Sequence, residues 1–112
     1  MIYAIDFDGT IVENSYPKIG SLRPEAELFI RSIKANGNQF ILWTCRTGAL
    51  LDEAVRFLRE HDIAPDYVNE NTPESIEHFG NDSRKIFADI YIDDRNCGGL
   101  LFPAVRIVGG DR

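Results

Sequence analysis

The sequence predicts an α/β protein built on a doubly wound parallel sheet of about five strands, in a single domain over residues 1–112. Three observations predict it. Short apolar runs alternate with stretches at helical spacing, the pattern of βαβ units and a parallel sheet covered on both faces. The helical stretches carry their own start and stop residues. Acids cluster directly after apolar runs, where ligands sit in open α/β sheets.

Residues 1–6 are apolar and extended and end at an acid, which suits a buried strand. Residues 11–23 hold Asn14, Pro17, Gly20 and Ser21 and read as a loop or short flap. A helix is expected over 24–36: Pro24 opens it, Ala26, Phe29, Ile30 and Ile33 fall on one face, and Asn36-Gly37 closes it. Phe40-Ile41-Leu42-Trp43 is a second strand. The next helix, about 48–61, aligns Leu50, Leu51, Ala54, Val55 and Leu58, with Asp52, Glu53, Arg56 and Arg59 outside that face. A short third strand follows Pro65 near Tyr67-Val68, and Thr72-Pro73 caps a brief helix ending near Gly80. Ile90-Tyr91-Ile92 is a fourth strand and Val105-Arg106-Ile107-Val108 a fifth.

Composition narrows the class. With 12 basic against 18 acidic residues the net charge is −6, which disfavours nucleic acid or an anionic membrane as partner unless a local basic patch compensates. No apolar stretch approaches the ~18 residues of a membrane span. The start of the chain lacks the basic region of a signal peptide, and Cys45 and Cys97 form no CxxC pair, so a reducing, cytoplasmic location is expected.

The chemistry centres on Asp6-Phe7-Asp8-Gly9-Thr10. Two carboxylates at the end of a buried strand are costly to desolvate unless something pairs with them. A hard cation such as Mg²⁺ accepts an oxygen-only environment, and Gly9 permits the tight backbone path around it. The competing reading is a turn whose acids cap local amides. Asp93-Asp94-Arg95, after the fourth strand, would complete a metal site in the same sheet; alone, adjacent acids are surface loop. Thr44 closes the second strand, where its hydroxyl either bonds a phosphoryl oxygen or caps the helix that begins about Thr47-Gly48. Lys85 precedes the fourth strand, where an ammonium reaches the same crevice or stays a solvated surface group.

In order and placement, these residues resemble the haloacid dehalogenase superfamily over nearly the whole chain. Asp6-Phe7-Asp8-Gly9-Thr10 is similar to its first motif, Thr44 to its second, Lys85 to its third and Asp93-Asp94 to its fourth. Thr44-Cys45-Arg46-Thr47-Gly48 with Asp93-Asp94-Arg95 also resembles the phosphatase half of phage-type polynucleotide kinase-phosphatases. The resemblance implies a three-layer, Rossmann-like fold and a Mg²⁺-dependent phosphatase acting on a phosphorylated substrate of unspecified class. It makes Asp6 the nucleophile, Asp8 the general acid and base, and Thr44 and Lys85 further catalytic residues. Asp6, Asp8 through its carbonyl, Asp93 and Asp94 form the metal set, with one of the adjacent acids bound directly. Gly9, Thr10 and Arg46 are expected to meet the substrate, Arg46 gripping the group beyond the phosphate. Asn14, Tyr16 and Arg95 would line the same open mouth. Neither insertion point leaves room for a cap domain, so a larger substrate, or a neighbouring subunit in a homo-oligomer, would have to cover the site.

Two other classes remain. A phosphoreceiver shares the length and the acid-threonine-lysine set, but would carry its acceptor Asp on the middle strand, where Tyr67-Val68-Asn69-Glu70 has none. A non-catalytic phosphate-binding module on the same fold is the other. A cysteine phosphatase fails, since C-x₅-R would place Arg where Leu51 stands, and His61 and His78 lack metal-partner spacing.

Overall fold

The computed structural model describes residues 1–104. The apolar run at the start forms β1 (Ile2–Ile5), with Ala4 and Ile5 fully buried. The segment expected as a loop or flap is an antiparallel hairpin, β2 (Val12–Ser15) and β3 (Lys18–Leu22). Its turn residues hid the strands. Gly20 sits where a Cβ would lie 1.9 Å from the Glu13 carbonyl oxygen, beside a register shift between Val12 and Asn14, so the glycine allows an irregular pairing here. α1 (Pro24–Ala35) starts at its proline and buries Ala26, Phe29, Ile30 and Ile33, with Glu25 and Glu27 in the first turn and Lys34 in the last. β4 (Gln39–Leu42) and α2 (Gly48–Glu60) follow, then β5 (Tyr67–Val68). α3 (Pro73–Phe79) is capped by the Thr72 hydroxyl, which accepts from the Ser75 amide, and ends at left-handed Gly80. β6 (Ile90–Ile92) is the last described strand; the strand expected over 105–108 lies outside the described residues.

Four strands make one parallel sheet in the order β5-β4-β1-β6. Register places Ala4 opposite both Ile41 and Tyr91. Side chains alternate between the two faces. On one face Tyr3, Ile5, Phe40 and Leu42 pack against α1 and α2, with Tyr3 edge-on to Phe29 and Phe7 edge-on to Phe57. On the other, Ala4 and Ile41 are covered by Ile86 and Ala88 and flanked by Trp43, Tyr67 and Tyr91. Among the described residues no cap domain stands over the strand ends; only the hairpin does.

Candidate metal centre and active site

Backbone pairing carries each parallel strand one step past its named end. Asp6 N–H donates to the Ile92 carbonyl, Trp43 N–H to that of Ile5 and Asn69 N–H to that of Leu42, each at 2.9 Å. Asp6, Trp43-Thr44, Asn69 and Asp93 therefore sit together at the carboxyl edge of the sheet. The strand order, followed from β5, runs back along the chain to β1 and then jumps to β6, so the order reverses between β1 and β6. That is where a crevice opens in such sheets.

Oxygens of Asp6, Asp93 and Asp94 all lie within 4.8 Å of one another there. One hydroxyl organises them. Thr10 Oγ1 donates to Asp6 Oδ2 at 3.0 Å and accepts from the Asp94 amide at 2.9 Å, joining two loops far apart in the chain. Gly9, at φ +86°, makes room for the third acid: a Cβ on it would come within 2.3 Å of Asp94 Oδ2. Asp93 Oδ1 accepts from the Arg95 amide. Crowding like charges at a partly buried edge has the expected result. Loss of solvent, then the charge of Asp93, pushes the Asp6 carboxyl from an ordinary 3.8 up to about 7. Burial, then the neighbouring Asp94, raises Asp93 too. Three hard carboxylates brought within reach of one another are a donor set a divalent oxygen-seeking cation fits.

A cavity of about 220 Å³ opens beside these acids, lined by Asp6, Trp43, Thr44, Cys45 and Asp93. Thr44 is held by Asn69, whose amide accepts from the Thr44 N–H and donates to its carbonyl, both at 2.9 Å. The Thr44 hydroxyl accepts from the Arg46 amide at 3.1 Å, and no side chain caps α2, so capping is not its role. Its own proton remains free to be donated into the cavity. Lys85 is exposed, its ammonium 5.6 Å from the centre of the Tyr91 ring, and it lines a neighbouring cleft rather than this cavity. Tyr91 precedes Asp93 by two residues.

Gly9, Thr10 and Arg46, the three expected substrate contacts, are packed into the framework. Thr10 is fully buried and its hydroxyl is engaged on both sides; Gly9 is buried against Asp94. Arg46 is 1% exposed, so it cannot reach out to a substrate. Its Nε and Nη2 fork onto the two oxygens of Asp8, each at 2.8 Å. The Asp8 carboxylate is thus turned toward Arg46 and stands apart from the three clustered acids. Tyr16 and Asn14 lie on the hairpin, with the Tyr16 ring over Arg46, and Arg95 is exposed.

Sequence reasoning missed Asn69 and Trp43. Asn69 adopts φ +53°, a conformation asparagine tolerates better than most residues, at the end of a parallel strand. Its place at that edge was the available signal. Both cysteines are free and exposed, Cys45 on the cavity rim. No described helix is long and apolar enough to cross a membrane.

The chain matches no family model and no curated protein. It is similar to a solved structure of a conserved protein coded by a locus of Bacteroides thetaiotaomicron, with 44% identity and a TM-score of 0.80. The match covers 90% of this chain and 81% of that one.

Proposed function

The chain belongs to the family of that conserved Bacteroides thetaiotaomicron protein, and we propose that it is a Mg²⁺-dependent phosphomonoesterase of the haloacid dehalogenase type, with Asp6 as nucleophile. The observation that carries this reading is the three-carboxylate cluster of Asp6, Asp93 and Asp94 at the strand-order reversal. The order β5-β4-β1-β6 is compatible with a doubly wound, Rossmann-like sheet.

A carboxylate approaching a phosphate monoester meets like charge, about 4 kcal/mol per unit pair at ~4 Å and an effective dielectric of ~20. Asp6, Asp93, Asp94 and the Asp8 carbonyl would hold the cation. Bound there, Mg²⁺ supplies the charge that offsets this repulsion and favours the ionised form of Asp6, which burial otherwise pushes up to about 7. Asp6 attacks phosphorus, and the ester P–O bond breaks as an aspartyl-phosphate forms. Asp8 gives a proton to the departing oxygen, then takes one from the water that hydrolyses the intermediate. Both Asp8 oxygens already accept from Arg46, so the proton that Asp8 donates must first be held on the second lone pair of one oxygen, and the same lone pair takes the proton back from water. The Thr44 hydroxyl donates to a phosphoryl oxygen in the cavity; the exposed Lys85 lines the neighbouring cleft and would have to turn away from the Tyr91 ring to add positive charge there. A receiver reading has less support, because the third parallel strand ends in Asn69, whose amide is occupied by the Thr44 backbone.

Phosphate release from a panel of sugar phosphates, nucleotides, 3′-phosphorylated oligonucleotides and phosphopeptides, with Mg²⁺ and with chelator, tests the proposal. Asp6→Asn should abolish Mg²⁺-dependent release while leaving the fold intact by circular dichroism. Release that persists in Asp6→Asn, or that ignores chelation, would remove Asp6 from the reaction.

A further inference from the structure

Arg46 is the charged residue sealed in the interior among the described buried residues. A guanidinium hidden from water is costly unless its donors are met. Here they are met from three directions. Nε and Nη2 take the two oxygens of Asp8, Nη2 also donates to the Lys18 carbonyl on β3 at 3.1 Å, and Nη1 donates to the Leu50 carbonyl on α2 at 3.3 Å. The flat group lies between two rings, Phe7 from the nucleophile loop and Tyr16 from the hairpin, each centred 5.2 Å from Cζ.

Burying an ion pair gains little stability over a well-packed apolar substitute. What the fork does supply is orientation, because two parallel donors fix the plane of a carboxylate where a single donor would let it turn. Asp8 lies two residues from Asp6 and has 18% of its side chain open to solvent, so its carboxylate is both held and accessible. The same guanidinium bonds to the hairpin, which among the described residues pairs with no other sheet.

We propose that Arg46 is a positioning residue: it fixes the Asp8 carboxylate for proton transfer and latches the β2–β3 hairpin beside the site, without touching the substrate itself. This rests on the phosphatase reading, in which Asp8 moves the proton. The variants Arg46→Gln and Arg46→Lys, with Tyr16→Ala to loosen the sandwich from its exposed side, separate the outcomes. Each is assayed with Mg²⁺ on p-nitrophenyl phosphate, whose leaving group needs little protonation, and on a simple alkyl phosphate, whose leaving group needs much. Covalent label on Asp6 is trapped in parallel.

Arg46→Gln should lower kcat about 10²–10⁴-fold on the alkyl ester, the range a general acid–base group supplies. KM should stay within about threefold, and the loss on the aryl ester should be smaller. Labelled Asp6 should persist longer than in wild type, because its hydrolysis also needs Asp8. Arg46→Lys, which keeps the buried charge, should fold and recover part of the rate, and Tyr16→Ala should lose a few-fold in kcat. A rise in KM at constant kcat would make Arg46 a substrate grip and overturn the proposal. So would full activity in Arg46→Lys, or equal losses on both esters with no change in label lifetime. Should Arg46→Gln fail to fold, the Lys and Tyr16 variants decide by the same criteria. Wild type that takes no label and releases no phosphate overturns the phosphatase reading and this inference with it; an active wild type with an indifferent Arg46 overturns this inference alone.

Discussion

Gly9 has room for nothing larger than a hydrogen. Its backbone is left-handed, and the space a side chain would fill belongs to the Asp94 carboxylate. Gly9→Ala should therefore cost about 1–3 kcal/mol from backbone strain and displaced contacts, and should weaken Mg²⁺ binding as Asp94 is pushed aside. Denaturant titration and isothermal calorimetry with Mg²⁺ check the two halves separately. Asp6 makes a second residue-level expectation. Its folded value of about 7 stands above the unfolded 3.8, so between those limits the folded protein holds more protons than the unfolded chain. The stability this group contributes is fully present below about pH 4 and is lost as pH rises through about 7. Three units at full burial would be worth about 4 kcal/mol; Asp6 is only partly buried, and solvent screening brings this to about 1–2 kcal/mol. Metal-free wild type should lose that much relative to Asp6→Asn across the window, and saturating Mg²⁺ should flatten the difference. Parallel slopes for the two proteins in chelator would contradict it.

At the scale of elements, the helices and parallel strands were legible because each carries its own punctuation. Pro24 and Gly37 frame α1, and Thr72-Pro73 and Gly80 frame α3, within a residue or so of where they were expected. The Thr72 cap offers a clean test. Thr72→Ala removes the acceptor of the Ser75 amide in a fully buried position, so it should cost about 1 kcal/mol of stability with kcat unchanged, since α3 contributes no site residue. The hairpin was not legible. Pro17, Gly20 and Ser21 signal turns by their own conformational habits, while the pairing of β2 with β3 depends on a close approach at Gly20 that only three dimensions disclose. The acids of the site were legible for a related reason: charges at the ends of apolar runs have few other uses. The role of Arg46 was not, because nothing local marks an arginine as buried. Its burial comes from Phe7, Tyr16 and Asp8, brought to it by three separate segments.

For the molecule as a whole, the carboxyl edge of the sheet has, among the described residues, a hairpin beside it and no cap domain. A cavity of about 220 Å³ falls below the ~300–1,000 Å³ common for small-molecule sites. It can hold a phosphoryl group and its immediate neighbours, but it has few walls with which to grip the rest of a metabolite. Small monoesters should accordingly bind weakly, with KM near or above the top of the usual ~1 μM–1 mM range. Extended substrates, or self-association that brings a second copy over the edge, should lower it. Steady-state kinetics on a size series, with solution mass measured alongside, checks this. A micromolar KM for one small metabolite in a monomer would show that the hairpin alone encloses the substrate.

The Thr10 hydroxyl joins Asp6 to the Asp94 amide, which lies 84 residues along the chain from Thr10. That span has a meaning in time as well as in space. During synthesis Asp6 and Asp8 are made well before Asp93 and Asp94. A growing chain that ends before β6 has Asp6 but neither the two other acids nor the strand that seats them. The three-carboxylate cluster is thus complete only once β6 docks beside β1; on the phosphatase reading proposed above, a nascent chain without β6 would be inert toward phosphate esters however long its first strand had been exposed.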